Sequence, residues 1–460
     1  VADAALSMDD IRKLISKTET QRNTERERLQ LIEQYVRGPQ PGPYKPSKTN
    51  EEYRTLVKRA ETNLMPMMLR SITDQLYIEG YRRKNGKDNE AAWKYWQANG
   101  FDSRQTQIFR AACRDGYAYG TVMPDIKGKV PVMRGVTARR MFALYDDPVD
   151  DKWPEYALLL NDRWEVVGLI DDNHKYKIGR KPGETVLSIV DVKEHGLGIC
   201  PVVRYAPAMD LDGTMTGDVI PQMRIQDRVN QTSFDLLIAQ TYGSFIVRII
   251  SGMEQPIDAK TGKPAPVELD VRRLLTSKDE IKGFQFDPTP LDPYINAFEL
   301  AVQHFAVTSQ TPPHYMLAKM VNMAADAIAA AESSSLHKRD NYQHTLGEAA
   351  EQHLELAGVV GGDQSIEDMD DMARVQWSDI GSRSLSQAAD ALGKLSTQLD
   401  IEPQALWSRI PGWTDQDTLD ALELRRKRLE EDPYAAMNLR LDESQPNGMK
   451  NNPAGLPNVA

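Results

Sequence analysis

Apolar residues recur at helical spacing through the first 117 positions, at strand spacing from about 120 to 200, and at helical spacing again from 217. Ser7 and Asp10 frame a capping box ahead of Ile11, Leu14 and Ile15. The helix they open turns polar between Lys17 and Arg28, then regains apolar residues at Leu29, Ile32 and Val36. Such a helix buries little of its middle, which is expected on a surface or against a neighbouring subunit. Residues 38–46 hold four prolines and two glycines and predict an extended linker. A second helical stretch follows over 50–79, restarted at Pro66 and closed by Gly80. Trp93 and Trp96 lie on a third, short helix, and a fourth spans 103–117.

Beyond Gly120 the pattern reads as short strands within 121–136, 142–145, 156–160, 164–170 and 175–193, separated by Gly, Pro and Asp turns. Ile225, Val229, Thr232, Leu236 and Ala239 then form one stripe of a helix over 220–242. A small insert follows, with strands at 245–250 and 283–286 around a turn-rich loop at 258–266. Asp292 and Pro293 open the next helix, lined by Ile295, Phe298, Val302 and Phe305 and ended by Thr311, Pro312 and Pro313. After a loop, a long helix runs over 324–357, with Leu346, Ala350, Leu354 and Ala357 on one stripe, and stops at Gly361 and Gly362. An acidic stretch, a strand at 374–377 and a helical C-terminal module striped by Leu385, Ala388, Leu392, Leu395 and Leu399 complete the pattern. The tail over 436–460 is rich in Asn, Pro and Gly and is expected to be disordered. The fold class is α+β, mainly α.

Composition narrows the functions. Of 460 residues 40% are hydrophobic and 27% charged, which excludes general disorder and allows about three domains of roughly 150 residues. The 56 Lys+Arg stand against 67 Asp+Glu, a net charge of -11, which disfavours a protein that wraps DNA by neutralising its phosphates. Cys113 and Cys200 are too few for a disulfide framework or a four-cysteine zinc site and are expected as reduced, partly buried thiols. The most apolar stretch, 234–250, is broken by Asp235, Gln240, Gly243 and Arg248, so no membrane helix is expected. The first residues carry neither a basic leader nor an apolar core, and the expectation is a product made in the cytoplasm.

Catalytic motifs are missing. The chain has no GxxxxGK[ST], HExxH, GxSxG or GxGxxG. His337, His344, Glu348 and His353 share the long helix, but one helix offers only two converging ligands, so solvated or interface side chains are expected there. Asp146, Asp147, Asp150 and Asp151 resemble a nuclease cluster in type, yet they fall in predicted turns, where Asp bonds to its own backbone. The basic run Arg425, Arg426, Lys427 and Arg428 suits a helix C-terminus and offers a contact for DNA or a partner. Lys319 stands alone in the loop before the long helix. No enzyme, metal or cofactor is expected. The competing readings are a metal-dependent nuclease and a monomeric or small-oligomer adaptor that only scaffolds assembly.

The order of elements resembles the portal proteins of long-tailed (siphovirus-type) double-stranded DNA bacteriophages. The resemblance runs from about 63 to 430 and is carried by ordered matches: Asn63 through Ile72 to Gly80, the segment 112–120, Ala143–Pro148 before 154–157, the segment 227–232, Thr311 to Pro313, and 325–328. It implies a wing over 1–219, stem helices at 220–242 and 292–312, and a clip at 243–291. A tunnel loop at 313–323, a spine with its return to the wing at 324–381 and a crown at 382–435 complete the plan. The DNA-facing residues of that loop would be His314, Tyr315, Met316, Lys319, Met320, Asn322 and Met323. The resemblance further implies a ring, typically of twelve subunits, at the capsid vertex of the virion, assembled in the host cytoplasm. Its partners would be double-stranded DNA, the terminase large subunit, a head–tail adaptor, and the major capsid and scaffolding proteins, with no membrane.

Overall fold

The computed structural model describes residues 5–44, 51–82, 90–125, 130–180, 187–243, 248–251, 282–285, 289–317, 325–363, 369, 373–378, 385–399, 401–407, 410 and 420–427. It divides into two units, 1–378 and 379–460.

In the first unit, α1 (Met8–Lys17) begins as the capping box predicts, with the Asp10 amide donating to Ser7 Oγ. The helix does not continue through the polar stretch. Thr18 is fully buried, turns its hydroxyl back to the Leu14 and Ile15 carbonyls, and separates α1 from α2 (Glu19–Arg37). The polar middle of α2 lies at the surface as its pattern suggested, with Thr20, Asn23, Arg26 and Glu27 exposed, while part of its charge is paired inward. Arg28 pairs with Glu25 and donates to the Asp115 carbonyl at 2.6 Å, and Glu33 meets Arg139. Glu25, Arg28 and Glu33 are thus paired inside the subunit.

Residues 38–44 form the expected linker, held to the molecule by Gln40, which donates to the Tyr35 carbonyl at 2.7 Å and accepts from Asn230. The second helical stretch is corrected more substantially. It comprises α3 (Glu51–Ala60) and α4 (Met65–Thr73), and then β1 (Ile78–Arg82), with Gly80 inside a strand rather than at a helix end. The helices α5 (Glu90–Ala98) and α6 (Phe101–Asp115) follow as expected.

The β-rich stretch builds two sheets. The strands β2 (Ala118–Met123) and β3 (Val132–Thr137) belong to one; β4 (Met141–Leu144), β5 (Tyr156–Leu160), β6 (Val166–Ile170), β7 (His174–Arg180) and β8 (Leu187–Glu194) make the other. A further short strand, β9 (Val202–Tyr205), escaped the sequence reading. The three-stranded sheet has the order β3-β2-β9 and the five-stranded sheet the order β4-β5-β6-β7-β8, antiparallel throughout. Helix α1 covers the larger sheet through Ile11, where Tyr176 Oη accepts from the Leu6 amide and Tyr156 Oη donates to the Leu14 carbonyl.

From Val219 the chain is helical again. Helix α7 (Val219–Gly243) leads to the ribbon β10 (Arg248–Ser251) and β11 (Lys282–Gln285), and α8 (Asp292–Thr308) returns. Asp292 sits in the first turn of α8, while Leu291 occupies the cap position without a side-chain bond. Gln222 meets Thr308 at 2.8 Å and Arg228 meets His304 at 2.8 Å, so α7 and α8 run antiparallel. The short α9 (Pro313–Leu317) precedes the long α10 (Ala325–Gly361), after which β12 (Arg374–Trp377) pairs with β1. The stripe of α10 enters the main core against the three-stranded sheet, α5 and α6.

His353 lies on that buried face, fully enclosed, not solvated as the helix pattern suggested. Its Nδ1 is 2.9 Å from Tyr205 Oη, and Trp96 and Phe101 present ring edges to it. Gly120 is required beside it, because a Cβ there would come within 2.6 Å of His353 Nδ1. Gly120→Ala is expected to cost about 1–3 kcal/mol by overpacking. A melting temperature equal to that of the wild type would refute this.

In the second unit, α11 (Leu385–Leu399) and α12 (Pro403–Leu406) are followed by a helical segment at 420–427. The strand and loop positions predicted at 245–247 and 258–266, and the tail 436–460, lie outside the described residues.

Candidate functional site

The segment that the resemblance places toward DNA leaves α8 and enters α10, and its first part is held firmly. At the end of α8, the Thr311 amide donates to the Ala306 carbonyl at 2.9 Å. The buried hydroxyl of Ser309 donates to Thr311 Oγ1 at 3.1 Å. Proline at 312 and 313 then ends one helix and opens the next, since its ring is tolerated only in a first turn.

On α9, His314 and Tyr315 pack edge to face with ring centroids 4.6 Å apart. Both reach Glu332 of α10: His314 Nε2 is 3.7 Å from Glu332 Oε1, and Tyr315 Oη donates to the same oxygen at 3.5 Å. Burial raises the Tyr315 pKa, and the Glu332 charge raises it further. Tyr315 remains partly exposed, whereas only 7% of the His314 side chain is accessible. Of the predicted loop residues, His314 and Tyr315 are thus tied to α10, and Met316 packs at the margin of the core. Lys319, Met320, Asn322 and Met323 lie outside the described residues.

Behind this segment is a polar hub that sequence reasoning did not find. Lys338 of α10 pairs with Asp218 at 2.7 Å and donates to the Ser309 carbonyl at 3.2 Å. Tyr342 Oη donates to Asp218 Oδ1 at 2.8 Å, and the Asp218 amide donates to the Cys113 carbonyl at 2.8 Å. Burial followed by the Asp218 charge drives the Tyr342 pKa well upward. The ends of α6 and α8, the start of α7 and the middle of α10 therefore converge on one ion pair. No spacing rule links positions 218 and 338; only the fold brings them together.

The remaining sequence candidates separate. Asp147 accepts from the Val149 amide at 2.8 Å and from the Asp150 amide at 3.3 Å, which is turn chemistry. Among the described residues no group of three or more His, Cys, Asp or Glu is arranged to hold a metal ion, and no helix is long and apolar enough to cross a membrane. Cys113 and Cys200 are fully buried and free, and burial pushes both thiols up, leaving them unreactive. In the second unit Arg426 and Lys427 are exposed and Arg425 is half-buried, with Lys427 3.6 Å from Glu423; Arg428 lies outside the described residues.

The profile of the family described as phage portal protein, SPP1 Gp6-like, matches residues 15–433. The chain belongs to that family. A portal protein of Mycobacterium phage D29 is 28% identical over 353 residues, covering 71% of this chain and 70% of its own. One from Mycobacterium phage L5 is 27% identical over 360 residues, with the same coverage of each chain. A solved chain from the virion of a native gene transfer agent particle shares 10% identity at a TM-score of 0.42, covering 80% of this chain and 96% of that one. The portal subunit is thus one of a ring that serves passage of the phage genome in packaging and ejection, by homology to its relatives.

Proposed function

We propose that this portal ring occupies one capsid vertex and forms the channel for double-stranded DNA, with the loop at 313–323 facing the bore. The reading rests on one observation, family membership over residues 15–433, which includes that loop. In it, residues 1–219 are the wing, 220–242 and 292–312 the stem, 243–291 the clip, 324–381 the spine and wing return, and 382–435 the crown. The terminase large subunit and the head–tail adaptor dock on the ring, twelve subunits close it, and major capsid and scaffolding proteins surround it during assembly in the host cytoplasm.

The physics supports this assignment. Tight phosphate neutralisation would brake a moving duplex, and a net charge of -11 with one lysine in the loop keeps the grip weak. Leu300 and Val307, seven positions apart on α8, are 52% and 67% exposed, an apolar stripe suited to burial between neighbouring stem helices. The Glu332 tether holds the described start of the loop to α10.

Light scattering on purified protein, with negative-stain images, is expected to give rings with a central hole; only single subunits under every assembly condition would sink the reading. Lys319→Ala is expected to reduce packaged DNA with rings intact, and packaging at the wild-type level would remove Lys319 from the channel.

A further inference from the structure

Between β9 and α7 the chain leaves the body as a small hairpin. Met209 and Met215 bridge antiparallel, the Asp210 amide donates to the Thr214 carbonyl at 3.0 Å, and Asp212 Oδ1 accepts from the Thr214 amide at 2.9 Å. These bonds fix the tip, where Leu211 is 94% exposed between two exposed aspartates. The base is fixed too. A Cβ on Gly217 would come within 2.7 Å of the Arg114 carbonyl oxygen, so the hairpin is wedged against the end of α6. One exposed leucine is ordinary. A leucine held outward on a rigid projection is a knob, and it requires a socket.

The isolated subunit has a socket at the other end of the same sheet. Tyr205, just before the hairpin, pairs with Ala118 at the start of β2, whereas Val202 pairs with Thr121 near its end. Past that end, a cavity of about 360 Å³ opens between β2–β3 and β7–β8. Met123, Pro124 and Val132 form its apolar lining, with Arg134, Lys175 and Lys193 beside them. Asp125 and Glu194 also line it, leaving three cations against two carboxylates. The length of β2 separates the base of the hairpin from the cavity by roughly 20 Å, at about 3.3 Å per residue, and the hairpin tip packs at Gly213 against Pro148. A subunit cannot fill its own cavity with this hairpin.

A knob and a socket at separate places on one subunit meet the requirement of a heterologous contact, the kind that closes rings. We infer that Leu211 of one subunit seats in the β2–β3/β7–β8 cavity of its neighbour, with Asp210 and Asp212 facing Arg134, Lys175 and Lys193. The inference rests on the ring assembly of the family and adds the surfaces that make one subunit contact. Two further observations agree. The Lys175 pKa is lowered first by burial and then by Arg134 and Lys193, so Lys175 would gain from a further carboxylate even though Lys193 already faces Asp191 at 4.0 Å. His195 lines the same cavity, and its buried Nδ1 has no hydrogen-bond partner.

The test is thiol crosslinking in assembled rings, made selective by the burial of both native cysteines. Leu211→Cys combined with Val132→Cys, treated with a short bismaleimide, is expected to give a ladder of covalent multimers. Each single variant is expected to stay monomeric on a denaturing gel. In parallel, Asp210→Lys is expected to weaken ring formation about tenfold, and Lys175→Glu in the same chain to restore it. Monomers alone from the doubly substituted, intact rings, or crosslinks only to a different virion protein in infected-cell extracts, would overturn the contact and leave the ring itself standing. Absence of rings in the unsubstituted protein would instead strike at ring assembly.

Discussion

Replacing Lys338 by methionine is expected to destabilise the folded subunit by about 3–5 kcal/mol. The lysine and Asp218 side chains are only 10% and 9% accessible, so removing the cation leaves a carboxylate with little water to solvate it. The loss is compounded at Asp218 Oδ2, which already lacks a hydrogen-bond partner, and at the Ser309 carbonyl, which loses its donor. The double substitution Asp218→Asn with Lys338→Met removes both charges and is expected to recover most of the loss, the opposite of additivity. Urea unfolding at one fixed subunit concentration measures both. A single-variant loss below about 1 kcal/mol would show that the pair is solvated in solution.

The second large effect is a dependence on acidity. Enclosure lowers the His353 pKa from 6.5 to about 4, desolvation of the charged ring outweighing its bond to the Thr121 carbonyl. The folded chain therefore keeps this imidazole neutral where the unfolded chain protonates it. Between about pH 6.5 and 4 the unfolded state binds more protons, so stability falls as the pH is lowered and is fully present above the window. The full contribution is about 3 kcal/mol. His353→Gln is expected to be less stable at neutral pH but to flatten the slope across that window. An unchanged slope in the variant would place the acid sensitivity elsewhere.

Long elements were legible in the sequence because periodicity accumulates with length. Helices α7, α8 and α10 were readable from their stripes, and Tyr156–Leu160 and Arg374–Trp377 emerged with their observed bounds. Short strands whose identity depends on a distant partner were not. Ile78–Arg82 continues a helix-like pattern, and only its pairing with β12 makes it a strand. His353 could have been placed correctly: it lies three residues from Ala350 and one from Leu354, on the stripe already recognised. The Asp212-Gly213 turn was also a readable hairpin signal, but nothing in the sequence says that Leu211 faces outward. The Asp218–Lys338 pair and the cavity beside β8 are products of tertiary placement.

The pairing of β1 with β12 also has a meaning for biosynthesis. The partners of Ile78–Arg82 are residues 374–377, so this strand waits while 295 further positions are translated, from 82 to 377. At ordinary elongation rates that interval is about 15–60 s. A chain cut short by a nonsense codon or a stalled ribosome before residue 374 never supplies the partner and keeps an open strand edge. Completion of this small sheet therefore comes only with the last part of the first unit.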